Sequence, residues 1–323
     1  MKALVCAALS DDLAGVALHD APGPAPKDGE ALVRVTAAGV NYPDYLMAQG
    51  KYQFRPEPPF IMGMEGCGRI EALGAGAQGF SIGEDVVFAA RLGAFAQYVA
   101  VPIGALKPKP RSLTESQAAS YSAAYLTAYV ALKRRGALQA GETVLVHGAA
   151  GGVGLAAVDL ALRFGARVIA TASTQKKRDF LTAMGVSLAL APSGFRDAVK
   201  DVTQGRGADV IYDPVGGDVF DESVRCIAFG GRLLVIGFTS GRIATISANL
   251  PLIKGFAVVG VRAGEHGRQF PDQGRADAEA VWQMADRGEI RAHVGAEMKL
   301  DDGRAALLRL TQRDVIGKIV LRP

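Results

Sequence analysis

Cysteine is scarce in this chain: Cys6, Cys67 and Cys226 are the only three in 323 residues. They are odd in number and far apart, with no CxxC pair. No disulfide framework can be drawn from them, and the usage fits a reducing compartment. Histidine is almost as rare, at positions 19, 147, 266 and 293, and nowhere clusters with cysteine as a closed zinc cage requires. No uncharged apolar run approaches the ~18 residues of a membrane-spanning helix. Charge of one sign is also lacking: 36 basic residues face 32 acidic ones, for a net +4. The short basic clusters, KPKPR at 107–111 and KKR at 176–178, carry no interleaved aromatics, so a nucleic-acid surface is not indicated. The opening MKALVCAALSDDLAG has a single lysine and alternates like a first strand, without a small-residue cleavage pattern. It reads as no signal peptide, and a cytoplasmic location is expected.

What is present is ordinary globular material, with 49% hydrophobic and 21% charged residues. Glycine and proline, 40 and 15 residues, stay short of the roughly 25–30% that marks low-complexity chains. The length suggests about two domains. Up to residue ~120 the chain reads as short strands broken by glycine and proline: 31–40, 66–74, 85–90 and 95–101. From about 122 the texture changes to strands alternating with amphipathic helices. The strands are 143–147, 167–172, 188–191, 208–213 and 232–238; helices lie between them, the last expected across DVFDESVRCIAFG. Such alternation predicts an α/β fold with a doubly wound parallel sheet. A closing strand in GKIVLRP suggests that the C-terminus returns to the N-terminal part.

TVLVH, GAAGGVG and LAAVDLALRFGA form strand, glycine turn and helix in succession. Gly148, Gly151, Gly152 and Gly154 let the chain turn tightly and let its backbone approach a pyrophosphate. They also let the helix start close to the sheet, with its N–H groups and dipole toward the anion. The spacing is a variant of GxGxxG. An NAD site places an acid ~20 residues on, at the ribose 2′-hydroxyl. Here that position is Thr171, and no acid lies between Asp159 and Asp179. Ser173, Lys176, Lys177 and Arg178 follow instead. Cations in a helix's first turn oppose its dipole, which favours an anionic partner there and NADPH as cofactor. Asp213 ends a strand at the sheet's carboxyl edge, as a ligand-side residue or a helix cap.

With these motifs in view, the sequence resembles the zinc-free quinone oxidoreductase, zeta-crystallin-like branch of the medium-chain dehydrogenase/reductase superfamily. The likeness spans GEALVRVTAAGVNYPDYLMAQGKY, PPFIMGMEGCGRIEALG, GAFAQYVAVP, YLTAYVAL, VHGAAGGVG, DPVGG, LLVIGFTSG and IGKIVLRP. It implies a GroES-like β-rich catalytic domain from residues 1–121 and 262–323 around a Rossmann domain at 122–261, in a homodimer. The zinc enzymes of the superfamily carry C-H-x-D and G-H-E at the metal. This chain reads Asn41-Tyr42-Pro43-Asp44 and Gly63-Met64-Glu65, and it lacks the four-cysteine lobe. One carboxylate cannot hold zinc alone, so the resemblance implies chemistry without a metal. Without the family, NYPDY reads as a loop turn and GMEG as a strand start.

The resemblance also implies that Asn41, Thr127, Gly151, Gly152, Val153, Ser173, Lys177, Phe238, Ser240 and Lys318 touch NADPH. Asn41, Tyr45 and Tyr52 would flank the acceptor, and Tyr129 reads as structural. The acceptor would be a small molecule, a quinone needing no strong protein acid. The alternative is an activated C=C bond in an enone, acrylate or acryloyl-CoA, which needs a proton at the α-carbon; Tyr52 resembles the acid of enoyl-thioester reductases. Lys51, Arg55, Arg262 and Arg268 could meet a CoA phosphate or be solvated loop charges. A third reading is an NADPH-binding protein with little turnover.

Overall fold

An eleven-residue strand organises the first part of the chain. The computed structural model describes residues 1–323 and divides into two units, Met1–Ala123 with Trp282–Pro323, and Ala124–Val281. The first unit contains β1 (Lys2–Cys6), β2 (Val16–Asp20), β3 (Glu30–Val40), β4 (Phe60–Ile61), β5 (Glu65–Leu73), β6 (Asp85–Ala89), β7 (Tyr98–Pro102) and β8 (Leu106–Pro108). The second has β9 (Thr143–Val146), β10 (Arg167–Thr171), β11 (Leu188–Leu190), β12 (Ala208–Asp213), β13 (Ile227–Val235) and β14 (Ala257–Gly260). β15 (Val294–Lys299) and β16 (Lys318–Arg322) return to the first unit.

β3 buries alternate side chains along its first half and every residue from Ala37 to Val40. Its first half pairs antiparallel with β7 and its second half with β16, while β5 lies along its other edge. Strand order β15-β16-β3-β5-β6-β8 therefore ties the C-terminal strand to the N-terminal sheet, and β2-β1-β4 forms a second small sheet. Leu4, Leu13, Val33, Met62, Phe95, Leu307, Ile319 and Leu321 fill one core. This is the β-rich GroES-like architecture.

The second unit is a parallel sheet in the order β11-β10-β9-β12-β13-β14. β9 is buried along its whole length, as expected of a central strand covered by helices on both faces. The order runs outward in one direction from β9 to β11 and in the other from β12 to β14. The carboxyl ends of β9 and β12 thus flank a topological switch point, where such sheets bind ligands.

The sequence reading needs correction in two places. NYPDY is the first turn of the helix Tyr42–Ala48, with Asn41 at its N-cap and Pro43 in the first turn, where proline is tolerated. The helix expected across DVFDESVRCIAFG stops at Ser223, and Ile227–Phe229 opens β13. There Gly230 adopts φ +77°, a conformation no helix interior provides. The second of the two units runs to Val281, within the helix Pro271–Asp286. Within that unit, Arg134 Nη2 and Nε donate to the buried Asp277 Oδ1 at 2.7 and 3.0 Å. No helix is long and apolar enough to cross a membrane, and all three cysteines are buried thiols.

Candidate active site

In the second unit, the turn after β9 is shaped by backbone packing. Gly148 has φ +53°, and Gly151 N–H donates to Gly148 O at 2.9 Å. Gly151 is the N-cap of the helix Gly152–Arg163. A Cβ on Gly154 would lie 2.4 Å from Gly148 O and 2.7 Å from Ala149 Cα. Glycine there lets the helix start against the turn. The first N–H groups of that helix, on Gly152 and Val153, have no partner within it and form an anion-attracting end. Val153 is half-buried beside them.

Neighbouring strand ends share this edge. β10 ends at Thr171, then Ser173 is exposed and Thr174 caps the helix Gln175–Ala183. Lys177, in that helix's first turn, is buried. Arg178 is turned back, its Nη1 donating to Ala172 O at 3.0 Å and its Nη2 to Gln175 Oε1 at 2.9 Å. β12 ends at Asp213, whose Oδ1 accepts from Val215 N at 2.8 Å and Gly216 N at 2.9 Å. Burial raises the Asp213 carboxyl above its ordinary range, offset in part by these two bonds. Asp213 therefore builds the DPVGG turn, and the cap of the following helix is Gly216. Gly216 and Gly217 both have positive φ, and added Cβ atoms would meet Phe238 Cδ1 at 3.0 Å and Ser240 Oγ at 2.8 Å. The structure thus brings Phe238 and Ser240 against the turn after β12. Thr127 lies half-buried in the helix Ser122–Tyr129, and Tyr129 packs edge-on against Phe164 at 6.1 Å.

In the first unit, Asn41 and Lys318 are brought together. Lys318 Nζ donates to Asn41 Oδ1 at 2.6 Å and to Glu65 Oε1 at 3.1 Å. Asn41 Nδ2 donates to the same Glu65 oxygen at 2.9 Å and to Gly39 O at 3.2 Å. Glu65 Oε2 accepts from Ala123 N at 2.9 Å. Glu65 and Lys318 are both buried, so the amide of Asn41 is engaged at both ends and fixed in orientation. Asp44 lies fully buried one turn into the helix, its Oδ2 accepting from Asn41 N at 2.9 Å while Oδ1 has no partner. Burial pushes its carboxyl up to about 7, against the opposing pull of Asn41 N–H and Lys318.

Tyr45 follows on the same helix, its hydroxyl accepting from Gln49 Nε2 at 3.0 Å and its ring 5.6 Å from Tyr42. Tyr52 is half-buried in the loop after that helix. Met64 is half-buried beside Glu65. No three His, Cys, Asp or Glu side chains group as ligands for a metal ion. The four basic residues weighed for a CoA phosphate have protein partners: Lys51 pairs with Asp11, Arg55 Nε donates to Tyr52 O, and Arg262 and Arg268 share Glu265.

Three groups escape sequence reasoning. Glu65 figures there only as an insufficient zinc ligand, Asp44 only as part of a motif, and His147 only as one scattered histidine. Their signals are positional: Glu65 opens a strand in GMEG, Asp44 stands three residues after an N-cap asparagine, and His147 directly precedes the glycine turn.

Comparison with known proteins adds to this geometry. Residues 27–111 match the alcohol dehydrogenase GroES-like domain, and residues 152–284 match the family described as zinc-binding dehydrogenase. The latter range excludes Asn41, Met64 and Glu65. The chain is 37% identical over 297 residues to a quinone oxidoreductase-like protein 2 homolog of Nematostella vectensis, covering 90% of this chain and 81% of that one. It is 39% identical over 234 residues to prostaglandin reductase-3 of Bos taurus, covering 69% and 59%. The quinone oxidoreductase of Thermus thermophilus, solved alone and with NADPH, superposes with a TM-score of 0.85 at 33% identity over the whole of both chains.

Proposed function

The chain belongs to the quinone oxidoreductase-like members of the medium-chain dehydrogenase/reductase superfamily, and from that premise we propose that it is an NADPH-dependent reductase of quinones acting without a metal. One observation carries the cofactor choice. The end of β10 offers Ser173 and Lys177, with no carboxylate before Asp179, where an NAD site places an acid. The turn Gly148–Gly154 suits a pyrophosphate, because a Cβ at Gly154 would drive the helix off the turn. In this reading Gly151, Gly152 and Val153 hold the pyrophosphate, Ser173 and Lys177 the 2′-phosphate. Thr127, Phe238, Ser240, Asn41 and Lys318 hold the nicotinamide half.

When bound, the cofactor supplies the hydride that, with a proton from water, turns a quinone into a hydroquinone. The protein's share is orientation and exclusion of water. Asn41, held by Glu65 and Lys318, presents its amide in one orientation, and Tyr45 and Tyr52 line the acceptor side. The donor set supports chemistry without zinc. Asn41 and Met64 stand where zinc enzymes carry cysteine and histidine, and both oxygens of Glu65 are taken by Asn41, Lys318 and Ala123. Zinc near one per chain in the purified protein would sink that part.

A second copy of the chain is the partner we read. β14 is an edge strand with Val258 exposed; Phe229, whose ring lies against Gly255, and Leu252 and Ile253, just before the strand in sequence, are 86%, 81% and 71% exposed. Apolar edges of this kind are normally covered. Sedimentation as a monomer at micromolar concentration would remove this partner.

The activity is tested by following NADPH absorbance with p-benzoquinone, phenanthrenequinone, a simple enone and acryloyl-CoA side by side, with NADH as control donor. Quinone turnover with NADPH preferred is expected. Turnover with only the enone or thioester would replace this reading with C=C reduction and make Tyr52 the first residue to mutate. Binding of NADPH without turnover would leave a binding protein.

A further inference from the structure

His147 is the last residue before the glycine turn, and it is fully buried. Its ring is bonded at both nitrogens: Nδ1 lies 2.9 Å from Thr171 Oγ1 and Nε2 lies 2.8 Å from Ser223 Oγ. Ser223 Oγ donates to Val219 O at 2.7 Å, so it accepts from Nε2–H, and Nδ1 accepts from the Thr171 hydroxyl. The Phe195 ring lies 4.8 Å from the imidazole and closes one side. Burial holds the ring neutral, its pKa down at about 3. The backbone repeats the connection, with His147 N donating to Tyr212 O at 3.0 Å and Ala149 N to Thr171 O at 3.0 Å.

Thr171 lies at the sheet edge itself, and Ser223 at the far end of a helix that starts from that edge. Thr171 ends β10, two residues before Ser173. Ser223 ends the helix Gly217–Ser223, which begins at the DPVGG turn that packs against Phe238 and Ser240. A structural histidine would be served as well by an apolar ring of the same size. This one spends two hydrogen bonds in the core to tie the start of the glycine turn to the end of β10 and to the helix that follows the turn after β12.

We propose that His147 is a positioning residue for the dinucleotide: through Thr171 and Ser223 it sets the spacing between the glycine turn, the segment after β10 and the turn after β12. This rests on the reading of that edge as the cofactor site. Because His147 sets the cradle and reads no phosphate, its loss should weaken NADPH and NADH alike.

The experiment measures Kd for NADPH and for NADH by nucleotide fluorescence, well below Tm, in the wild-type chain and in His147→Phe, His147→Gln and His147→Asn. His147→Phe keeps a ring and loses both bonds. Both Kd values are expected to rise roughly tenfold or more, by the same factor, with KM for the quinone unchanged. His147→Gln keeps a donor for Ser223, and His147→Asn keeps an acceptor for Thr171, so each should recover part of the loss. A purely structural role would lower Tm and leave both Kd values in place. Folded variants within twofold of wild type for both nucleotides would overturn the proposal, as would loss confined to NADPH. If His147→Phe does not fold, Thr171→Val and Ser223→Ala each delete one bond, and unchanged Kd in both overturns it equally. A wild-type chain that binds neither nucleotide overturns the cofactor reading itself, and this proposal with it.

Discussion

Lys318 Nζ and Glu65 Oε1 lie 3.1 Å apart with side-chain exposures of 6% and 2%. The pair joins the last strand of the chain to the start of β5. Burying two charges is costly, and such a pair holds only while every atom is satisfied. Asn41 and Ala123 supply the remaining bonds. Lys318→Met should therefore destabilise the protein by about 3–5 kcal/mol, because Glu65 is left buried without its cation. The double variant Lys318→Met with Glu65→Gln should recover most of that loss. Urea denaturation of the three proteins checks it, and a single variant as stable as wild type would refute the argument.

Lys177 distinguishes the two nicotinamide nucleotides in the proposed site. Removing a charge-assisted bond to the 2′-phosphate costs about 1.5–3 kcal/mol. Lys177→Gln should then raise Kd for NADPH at least ~tenfold and leave NADH nearly unchanged; Lys177→Glu should do more. Because Lys177 is buried, Tm must be recorded with each Kd. Equal losses for both nucleotides would show that this side chain does not read the phosphate. That pattern is the one assigned to His147, so the two positions test different links.

Much of the second unit is legible in the sequence because each segment carries a local rule. Thr143–Val146, Gly148–Gly154 and Gly152–Arg163 announce strand, turn and helix by apolar runs and glycine spacing, and the expected strand 208–213 matches β12 to the residue. The boundary at Val281 is not legible. Long-range pairings such as Arg134 with Asp277, 143 residues apart, have no local signature. The helix Tyr42–Ala48 is obscured because Pro43 reads as a turn signal unless its place in the first helical turn is known. In the site, motifs name single residues, but the bond of Lys318 to Asn41 requires β16 to return beside β3 in a definite register.

Asp44 gives a pH dependence with a definite sign. Its folded carboxyl sits at about 7, against an ordinary 3.8. Between those values the folded state holds a proton that the unfolded state has released. Stability contributed by this group therefore falls as pH rises from about 4 to about 7 and is level above, with a slope of at most ~1.4 kcal/mol per pH unit. Asp44→Asn can still accept from Asn41 N–H without a charge to bury. It should match wild type near pH 4 and exceed it near pH 8. A wild-type minus variant difference that is flat across this range would count against the assignment.

Tyr212 carries a hydroxyl with no partner inside a fully buried side chain. Leaving a buried polar group unmade costs about 1–3 kcal/mol. Tyr212→Phe keeps the ring and deletes that group, so Tm should hold or rise. A marked fall in Tm would mean that the hydroxyl is bonded, as through a buried water.

Gly151 and Gly154 sit three residues apart and should fail in opposite ways. Helix propensity alone says that Gly154→Ala, inside the helix Gly152–Arg163, should stabilise by about 1 kcal/mol. Packing says otherwise. The added Cβ would lie 2.4 Å from Gly148 O and 2.7 Å from Ala149 Cα, and both are backbone atoms with no rotamer to change. Relieving that overlap moves the helix off the turn, and overpacking of this kind costs about 1–3 kcal/mol or more, so the steric effect wins. Gly151→Ala meets only Gly148 O, at 3.3 Å, and its φ of −83° suits any residue. Its methyl should be tolerated by the fold but crowd the turn where the pyrophosphate is proposed to lie. The expected outcome is a lowered Tm for Gly154→Ala, and for Gly151→Ala a Tm near wild type with NADPH and NADH affinity both reduced. Unchanged affinity in a folded Gly151→Ala protein would move the proposed pyrophosphate away from this turn.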